Sequence, residues 1–206
     1  MKVSDLFSAE MEPPLNDWLK GFTSPTDLFA GLHQLFTNLS SQHIQGMIEE
    51  GASIIGPVHI GVGSIVCTQA VIRGPVIVGR ETIVNSHAEI RSGCFLGSQC
   101  EIGHGCSIIE SMLMNNAVVW PGAFIRNSVI GFGGVVGPGA VLGTERLEFS
   151  KKRSLISREL GVVLGDYSAV GANSCLKPGT VLGSGIVVGD GIVAEGLYPV
   201  GTKLET

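Results

Sequence analysis

The chain has 206 residues, 30 of them glycine, with 44% hydrophobic, 6% aromatic and 15% charged residues and a formal net charge of −5. An aliphatic content this high excludes a disordered chain, glycine without a G-X-Y period excludes collagen, and the acidic balance sets nucleic acid aside as a partner, because phosphate backbones are bound by basic faces. The length suits one domain with a sizeable core, and length alone also admits two. No apolar run approaches the ~18 residues of a membrane span, and the N-terminal residues lack an apolar leader stretch, so a cytoplasmic chain with no membrane partner is expected. Five cysteines, an odd number, read as free thiols rather than a disulfide framework.

Residues 1–46 are expected to form a helical cap and linker. Residues 16–22 and 26–39 read as short helices: Asn16 and Ser24 suit N-caps, Pro25 a first helical position, and Leu28, Leu32, Leu35, Phe36 and Leu39 form an apolar stripe. The terminal coil of a solenoid needs covering, which predicts that these helices close the open N-terminal end.

Beyond them a period of six takes over. Stepping by six from Ile48 meets only apolar residues at Ile54, Ile60, Val66, Ile72, Val78, Val84, Ile90, Leu96, Ile102, Ile108 and Met114. The frame then slips by four residues to Val118, Phe124, Ile130, Val136 and Leu142, and resumes after an insertion at Leu164, Val170, Leu176, Leu182 and Val188. Glycine follows the aliphatic position at Gly61, Gly79, Gly97, Gly103 and Gly131 among others, where a positive φ is expected to select it. A small residue stands four places after the aliphatic one, as at Ser64, Ala70, Thr82, Cys94, Cys100 and Cys106.

Six residues are too few for a helical hairpin but suit one short strand and a turn, so three units should make one triangular coil. The expected fold is an all-β parallel β-helix of about seven coils over residues 47–193, with residues 18 apart stacked, an excursion loop at 144–161 and a tail at 194–206. That loop carries Arg146, Lys151, Lys152, Arg153 and Arg158 beside Glu145, Glu148 and Glu159. The repeat does not set the hand of the coil, since crossovers are right-handed in ~98% of cases on general grounds.

The stretches Ile48–Val58, His87–Gly93, Asn127–Gly131 and Val163–Thr180 resemble the C-terminal acetyltransferase half of bifunctional sugar-1-phosphate nucleotidylyltransferase and hexosamine-1-phosphate N-acetyltransferase proteins, especially the archaeal type. The segment Ser24–Leu28 resembles the linker between their two halves, and the likeness covers about three quarters of the chain. The resemblance implies left-handed coils, a homotrimer with ligand clefts between subunits, acetyl-CoA as cosubstrate, and N- or O-acetyl transfer to a sugar phosphate or nucleotide sugar. No glycine-rich phosphate loop with basic residues opens the chain, so nucleotidyl transfer is not expected, and a separate nucleotidylyltransferase is a candidate partner. The family's general-base histidine and the tyrosine three residues later fall at Pro121 and Phe124, and its lysine at Ile109; of that constellation Arg91 remains. Proline takes no proton, so either another base serves or the chain is a catalytically silent trimeric module that binds a sugar nucleotide or a partner enzyme. A purely architectural rod is a third reading, and the breaks in the repeat count against it.

His87 and His104 are 17 residues apart, nearly one coil, and should project together from outward positions. An imidazole there can take a proton from a sugar amine or hydroxyl as acetyl-CoA is attacked, or it can be an ordinary surface histidine. Arg73 and Arg91, 18 apart, should stack and offer two guanidinium groups to one sugar phosphate or pyrophosphate unless Glu89 or Glu101 neutralises them. Lys151, Lys152 and Arg153 are candidates for the phosphates of coenzyme A, against the alternative of a solvated loop. Cys94, Cys100 and Cys106 fall on three different sides of one coil at the inner small position, so no metal is expected. Trp120, Phe124 and Phe132 either line an intersubunit cleft or fill the core where the frame slips.

Overall fold

The computed structural model describes residues 1–7, 15–143 and 160–204, with residues 15 and 16 as backbone only. Short strands form three parallel sheets. Sheet A has nine strands from His43–Ile44 to Leu197–Tyr198, sheet B eight from Met47–Ile48 to Val187–Val188, and sheet C eight from Ser53–Ile55 to Val193–Ala194. The chain visits A, B and C in turn and each strand pairs with the strand three places on, which makes a left-handed parallel β-helix of about eight turns.

The six-residue period builds this because alternate residues of a strand face opposite ways, so the aliphatic residue of each hexad turns inward and its neighbours turn out. Ile54, Ile72, Ile90 and Ile108 stack in register through successive strands of sheet C, and the last three are fully buried. Each such side chain contributes about 1.5–3 kcal/mol by leaving water. The small inner residues sit at the corners, where their hydroxyls tie coil to coil. Ser64 Oγ donates to the Gly79 carbonyl at 2.7 Å and accepts from the Thr82 N–H at 2.9 Å, and Thr82 Oγ1 repeats this with Gly97 at 2.8 Å and Cys100 at 3.1 Å. The buried polar groups of the corner are thereby satisfied, as a water-free core requires.

The structure corrects the frame slip. The inward column runs Ile108, Leu113, Val119, Ile125, Ile130, in two five-residue steps rather than one four-residue step, and all five side chains are buried. Val118 and Phe124, expected inside, face outward and are only half-buried. A one-residue change of register turns every side chain to the opposite face, so a misplaced slip reverses in from out.

The role of the glycines after the aliphatic position also differs. Gly79 and Gly103 do not have positive φ; a Cβ on Gly79 would lie 2.6 Å from the backbone of Gly97 in the next coil, and one on Gly103 would lie 2.6 Å from the Pro121 nitrogen. They are glycine because stacked coils approach there. The left-handed backbone falls instead on the residue before the small one, as at Gly105, and there Gln69, His87, Gln99 and Tyr167 also adopt it.

The helices are α1 (Val3–Leu6), α2 (Leu15–Lys20) and α3 (Pro25–Gly31), followed by a 3-10 turn at Leu32–Phe36. Ser24 caps α3 as expected, its hydroxyl accepting from the Asp27 N–H at 3.2 Å, whereas α2 starts at Leu15, one residue ahead of the Asn16 cap position. They do not close the N-terminal end. Leu6, Leu19, Leu28, Phe29, Leu32 and Phe36 pack along the outer face of sheet A, against Met112, Val129, Val163 and Val181, with Ile77 and Phe95 at the margin. The Asp166 N–H and the Ser184 hydroxyl both donate to the Leu6 carbonyl, at 2.8 and 2.9 Å. From Ile77 to Val181 sheet A is apolar on both faces, so this stretch needs a second cover, and the helices supply it. The solenoid begins at His43 and its pairing continues to Leu204, beyond the 47–193 span of the clear repeat, because an edge strand needs only one neighbour.

Candidate functional site

Two corners of the triangle frame the outer face of sheet C, and the candidate residues divide between them. The corner between sheets B and C carries the histidines. His87 takes a left-handed φ of 60° just before the small Ala88, and His104 lies on the next coil. Their stacking is fixed by the backbone: the Gly105 N–H donates to the Ser86 carbonyl at 3.1 Å, and the Gly122 N–H to the His104 carbonyl at 2.9 Å. The two exposed imidazoles meet edge to face with ring centroids 4.9 Å apart, so the structure brings together the pair expected from the 17-residue spacing. The following coil places Trp120, 52% exposed, and Pro121 above them. Trp120 therefore borders an open corner and does not fill the core, and Phe124 and Phe132 likewise remain partly exposed. Glu101 on sheet B and Glu89 on sheet C are the outward carboxylates of the neighbouring strands.

The corner between sheets C and A carries the arginines. Arg73 and Arg91 are Cα partners on adjacent strands, as their 18-residue spacing implies, and Ile109 lies between Arg91 and Arg126 in the same column. Arg126 is not picked out by the six-residue count because the first shortened step moves it to 35 residues from Arg91. Arg91 Nε lies 3.5 Å from Glu89 Oε1, with both side chains 42% exposed, and such a pair contributes no more than about 1 kcal/mol. Arg73 is exposed and has no ion pair among the described residues. Further along, Lys177 is held by Glu195 at 2.8 Å. His33 lies over the corner glycine Gly93, where a Cβ would come within 3.8 Å of its ring.

From Ile48 onward, every departure from the six-residue step falls at this second corner: Ile108 to Leu113, Ile125 to Ile130, Leu142 to Leu164, and Ala194 to Tyr198. Gly143 and Leu160, which flank the insertion, both lie at this corner. Lys151, Lys152 and Arg153 lie in that segment and outside the described residues.

His87 and Arg91 are thus four residues apart on one coil, His87 in the turn that precedes the strand Glu89–Arg91 and Arg91 at that strand's end. Between the corners, Ser107 is the small outward residue of sheet C, flanked in register by Glu89 and Phe124. The inner cysteines take no part: burial pushes the thiols of Cys94 and Cys100 up to about 12 and raises that of Cys106. Among the described residues no three His, Cys, Asp or Glu side chains come together as a metal site, and no helix is long and apolar enough to cross a membrane.

Residues 72–202 match the family model of the GMPPB C-terminal domain. The uncharacterized acetyltransferase YaiX of Escherichia coli strain 536 is 32% identical over an alignment of 166 positions that covers 77% of this chain and 71% of YaiX. The fold resembles the UDP-N-acetylglucosamine acyltransferase of Francisella novicida, with a TM-score of 0.58 at 15% identity over 76% of this chain, and the chain spans 61% of that enzyme's length. It also resembles LpxA, the UDP-N-acetylglucosamine acyltransferase of Bacteroides fragilis, with a TM-score of 0.56 at 16% identity, covering 79% of this chain and 68% of LpxA. With the six-residue coils, the matched domain and a relative at this identity, the chain belongs to the hexapeptide-repeat acetyltransferase family.

Proposed function

We propose that the protein transfers an acetyl group from acetyl-CoA to an amine or hydroxyl of a sugar phosphate or nucleotide sugar, with the His87–His104 pair as the base. The observation that carries this reading is the meeting of two exposed imidazoles at one corner, beside Trp120, in a member of an acetyltransferase family. The acceptor's nitrogen or oxygen attacks the thioester carbonyl while an imidazole nitrogen takes its proton. The C–S bond then breaks, and the departing sulfur receives the proton back from the imidazolium, so one acetyl group and one proton change places. Arg73 and Arg91 hold the phosphate groups of one reactant, and Lys151, Lys152 and Arg153 add positive charge on the coenzyme side.

The working assembly is a homotrimer. Sheet B presents an outward apolar column that includes Met47, Ile83 and Val187, and packing these faces around a threefold axis buries them and puts the histidine corner at the rim of the cleft between subunits.

The test is release of coenzyme A in the presence of amino- and hydroxy-sugar phosphates and nucleotide sugars. His104→Ala or His87→Ala should lower turnover by about 10²–10⁴-fold at unchanged folding stability. Turnover unaffected by either substitution removes the histidines from the mechanism. Pro121, where the resemblance places a histidine, favours a second reading, a trimeric module that binds a sugar nucleotide or a nucleotidylyltransferase without catalysis. Nucleotide-sugar binding with no acetyl-CoA binding would establish that one.

A further inference from the structure

Trp120 stands beside the histidines with no packing task of its own. It belongs to the corner column in which each N–H donates to the end of a strand on the next coil: Gly103 to Val119, Trp120 to Val136, Gly137 to Val170, Gly171 to Val188 and Gly189 to Leu204. Every one of these five is glycine except Trp120, because stacked coils approach closely there. A Cβ on Gly103 would lie 2.7 Å from the Trp120 carbonyl carbon, and one on Gly137 2.7 Å from that of Gly171. Trp120 joins neither apolar core, and among the described residues its indole pairs with no other ring. Its column neighbours Gly103 and Gly137 have no side chains to cover it, so a large apolar ring is left open to water at the one corner that also holds two imidazoles. An indole held in that way suits a ligand ring laid against its face.

His104 follows Gly103, so its Cα and that of Trp120 are about 6 Å apart, one coil spacing combined with one residue step. His87 lies one coil further back. A ring seated on the indole therefore has its edge toward His104, and the chemistry of the reactants decides which ring that is. The adenine of acetyl-CoA is set off from the thioester by a ribose, a pyrophosphate and the pantetheine arm. The base of a nucleotide sugar is set off from the nucleophile by a ribose and a pyrophosphate. Only the hexose carries the attacking nitrogen or oxygen on the ring itself or one carbon from it, and its C–H face is apolar. Resting on the acyltransferase reading, we infer that Trp120 is the platform for the acceptor's hexose ring, which packs its C–H face on the indole and directs its amine or hydroxyl to His104. His104 is then the imidazole that takes the proton and returns it to the departing sulfur, and His87 supports it from the coil behind.

Fluorescence tests the platform, because the chain has two tryptophans and Trp18→Phe leaves Trp120 alone. In that variant glucosamine 1-phosphate or UDP-N-acetylglucosamine should move the emission to shorter wavelength, as covering an indole does, whereas inorganic phosphate, UDP and acetyl-CoA should not. Should Trp18→Phe fail to fold, the difference between the unaltered protein and Trp120→Phe isolates the same signal. In turnover, Trp120→Ala should raise KM for the sugar about 10-fold and leave KM for acetyl-CoA within about twofold, Trp120→Phe should restore most of the loss, and His104→Ala should cost more than His87→Ala. An emission shift with acetyl-CoA or UDP, a sugar that is acetylated without moving the emission, or equal KM changes for the two substrates overturns the inference while the acyltransferase reading stands. No coenzyme A release with any sugar overturns that reading, and the titration then decides the platform by itself: no shift with either sugar probe removes the hexose from Trp120.

Discussion

The outer faces of sheets A and B are both apolar columns, Ile77, Phe95, Met112, Val129, Val163 and Val181 on one and Met47, Ile65, Ile83, Val118, Val135 and Val187 on the other, yet among the described residues only the first is covered. The N-terminal helices lie on sheet A, and Met112, Val129 and Val163 become fully buried beneath them. On sheet B, Ile83 is 37% exposed and Val187 58%, and Glu101 interrupts the column between Ile83 and Val118. The difference shows that an apolar outward column in a hexapeptide solenoid signals a cover without saying where it comes from. Sheet A draws its cover from residues 3–36, and sheet B leaves a surface of the kind that subunits bury against one another.

The sharpest way to break this comparison is to place a charge in each column. Met112→Asp puts an unpaired carboxylate between a sheet and a helix layer, and should cost on the order of 3–5 kcal/mol in denaturant unfolding. Ile83→Asp should change the stability of the single chain by no more than about 0.5 kcal/mol, because its side chain reaches water, but it should separate the subunits of the proposed trimer in sedimentation. Equal costs at the two sites would mean that the helices do not shield sheet A. An unchanged sedimentation rate for Ile83→Asp would exclude sheet B from the subunit interface.

A second contrast, between glycines two residues apart, tests what sets the repeat. A Cβ at Gly103 would meet the Pro121 nitrogen at 2.6 Å, whereas at Gly105 nothing lies within 4 Å although φ is 66°. Gly103→Ala forces two coils apart and should cost about 1–3 kcal/mol or more. Gly105→Ala pays only the left-handed backbone, about 1 kcal/mol, and His87 already adopts that conformation nearby. Thermal unfolding of the two variants side by side reads the difference, and a reversed order would restore the positive-φ explanation for the glycines that follow the aliphatic position.

How much of this was legible in the sequence follows from what a period can encode. The period of six reads out the inward column, and its 17- and 18-residue multiples read out the His87–His104 and Arg73–Arg91 stacks, because these depend only on phase along the chain. Phase fails where the step changes. Met114 and Val118 continue an apolar count as well as Leu113 and Val119 do, and only the strand pairing decides between them. The shelter of sheet A depends on contacts between residues such as Leu6 and Asp166, far apart in the chain, which no local pattern carries. The separation of the histidine and arginine pairs across sheet C was within reach, since residues 87 and 91 lie on one strand and its turn, but comparing residues of equal phase never asks that question.

The smallest effect concerns the uncovered end, where the contrast with sheet A's sheltered stretch is one of protonation. The outward column of sheet A begins with His43 and His59, stacked at 5.1 Å with their planes 24° apart, before Ile77 and Phe95 enter the helix-covered region. Partial burial, and then the neighbouring His43, hold the His59 imidazole below its ordinary value. A histidine whose pKa is lowered in the folded state contributes its full share of stability above the unfolded value of about 6.5, and loses it as pH falls through the depressed folded value. Acidification from pH 7 to 5 should therefore loosen the first coil before the rest. The amides of Gln45 and Gly61, bonded to the Ile60 and Val78 carbonyls, should lose protection relative to the amide of Gly137, which is bonded to Val170 in the middle of the solenoid. Hydrogen exchange corrected for its intrinsic pH dependence measures this, and His43→Asn should reduce the effect by removing the neighbouring imidazole. A constant ratio of protection across that range would show that the first coil is held by its backbone ladder alone and that the histidine stack carries no part of it.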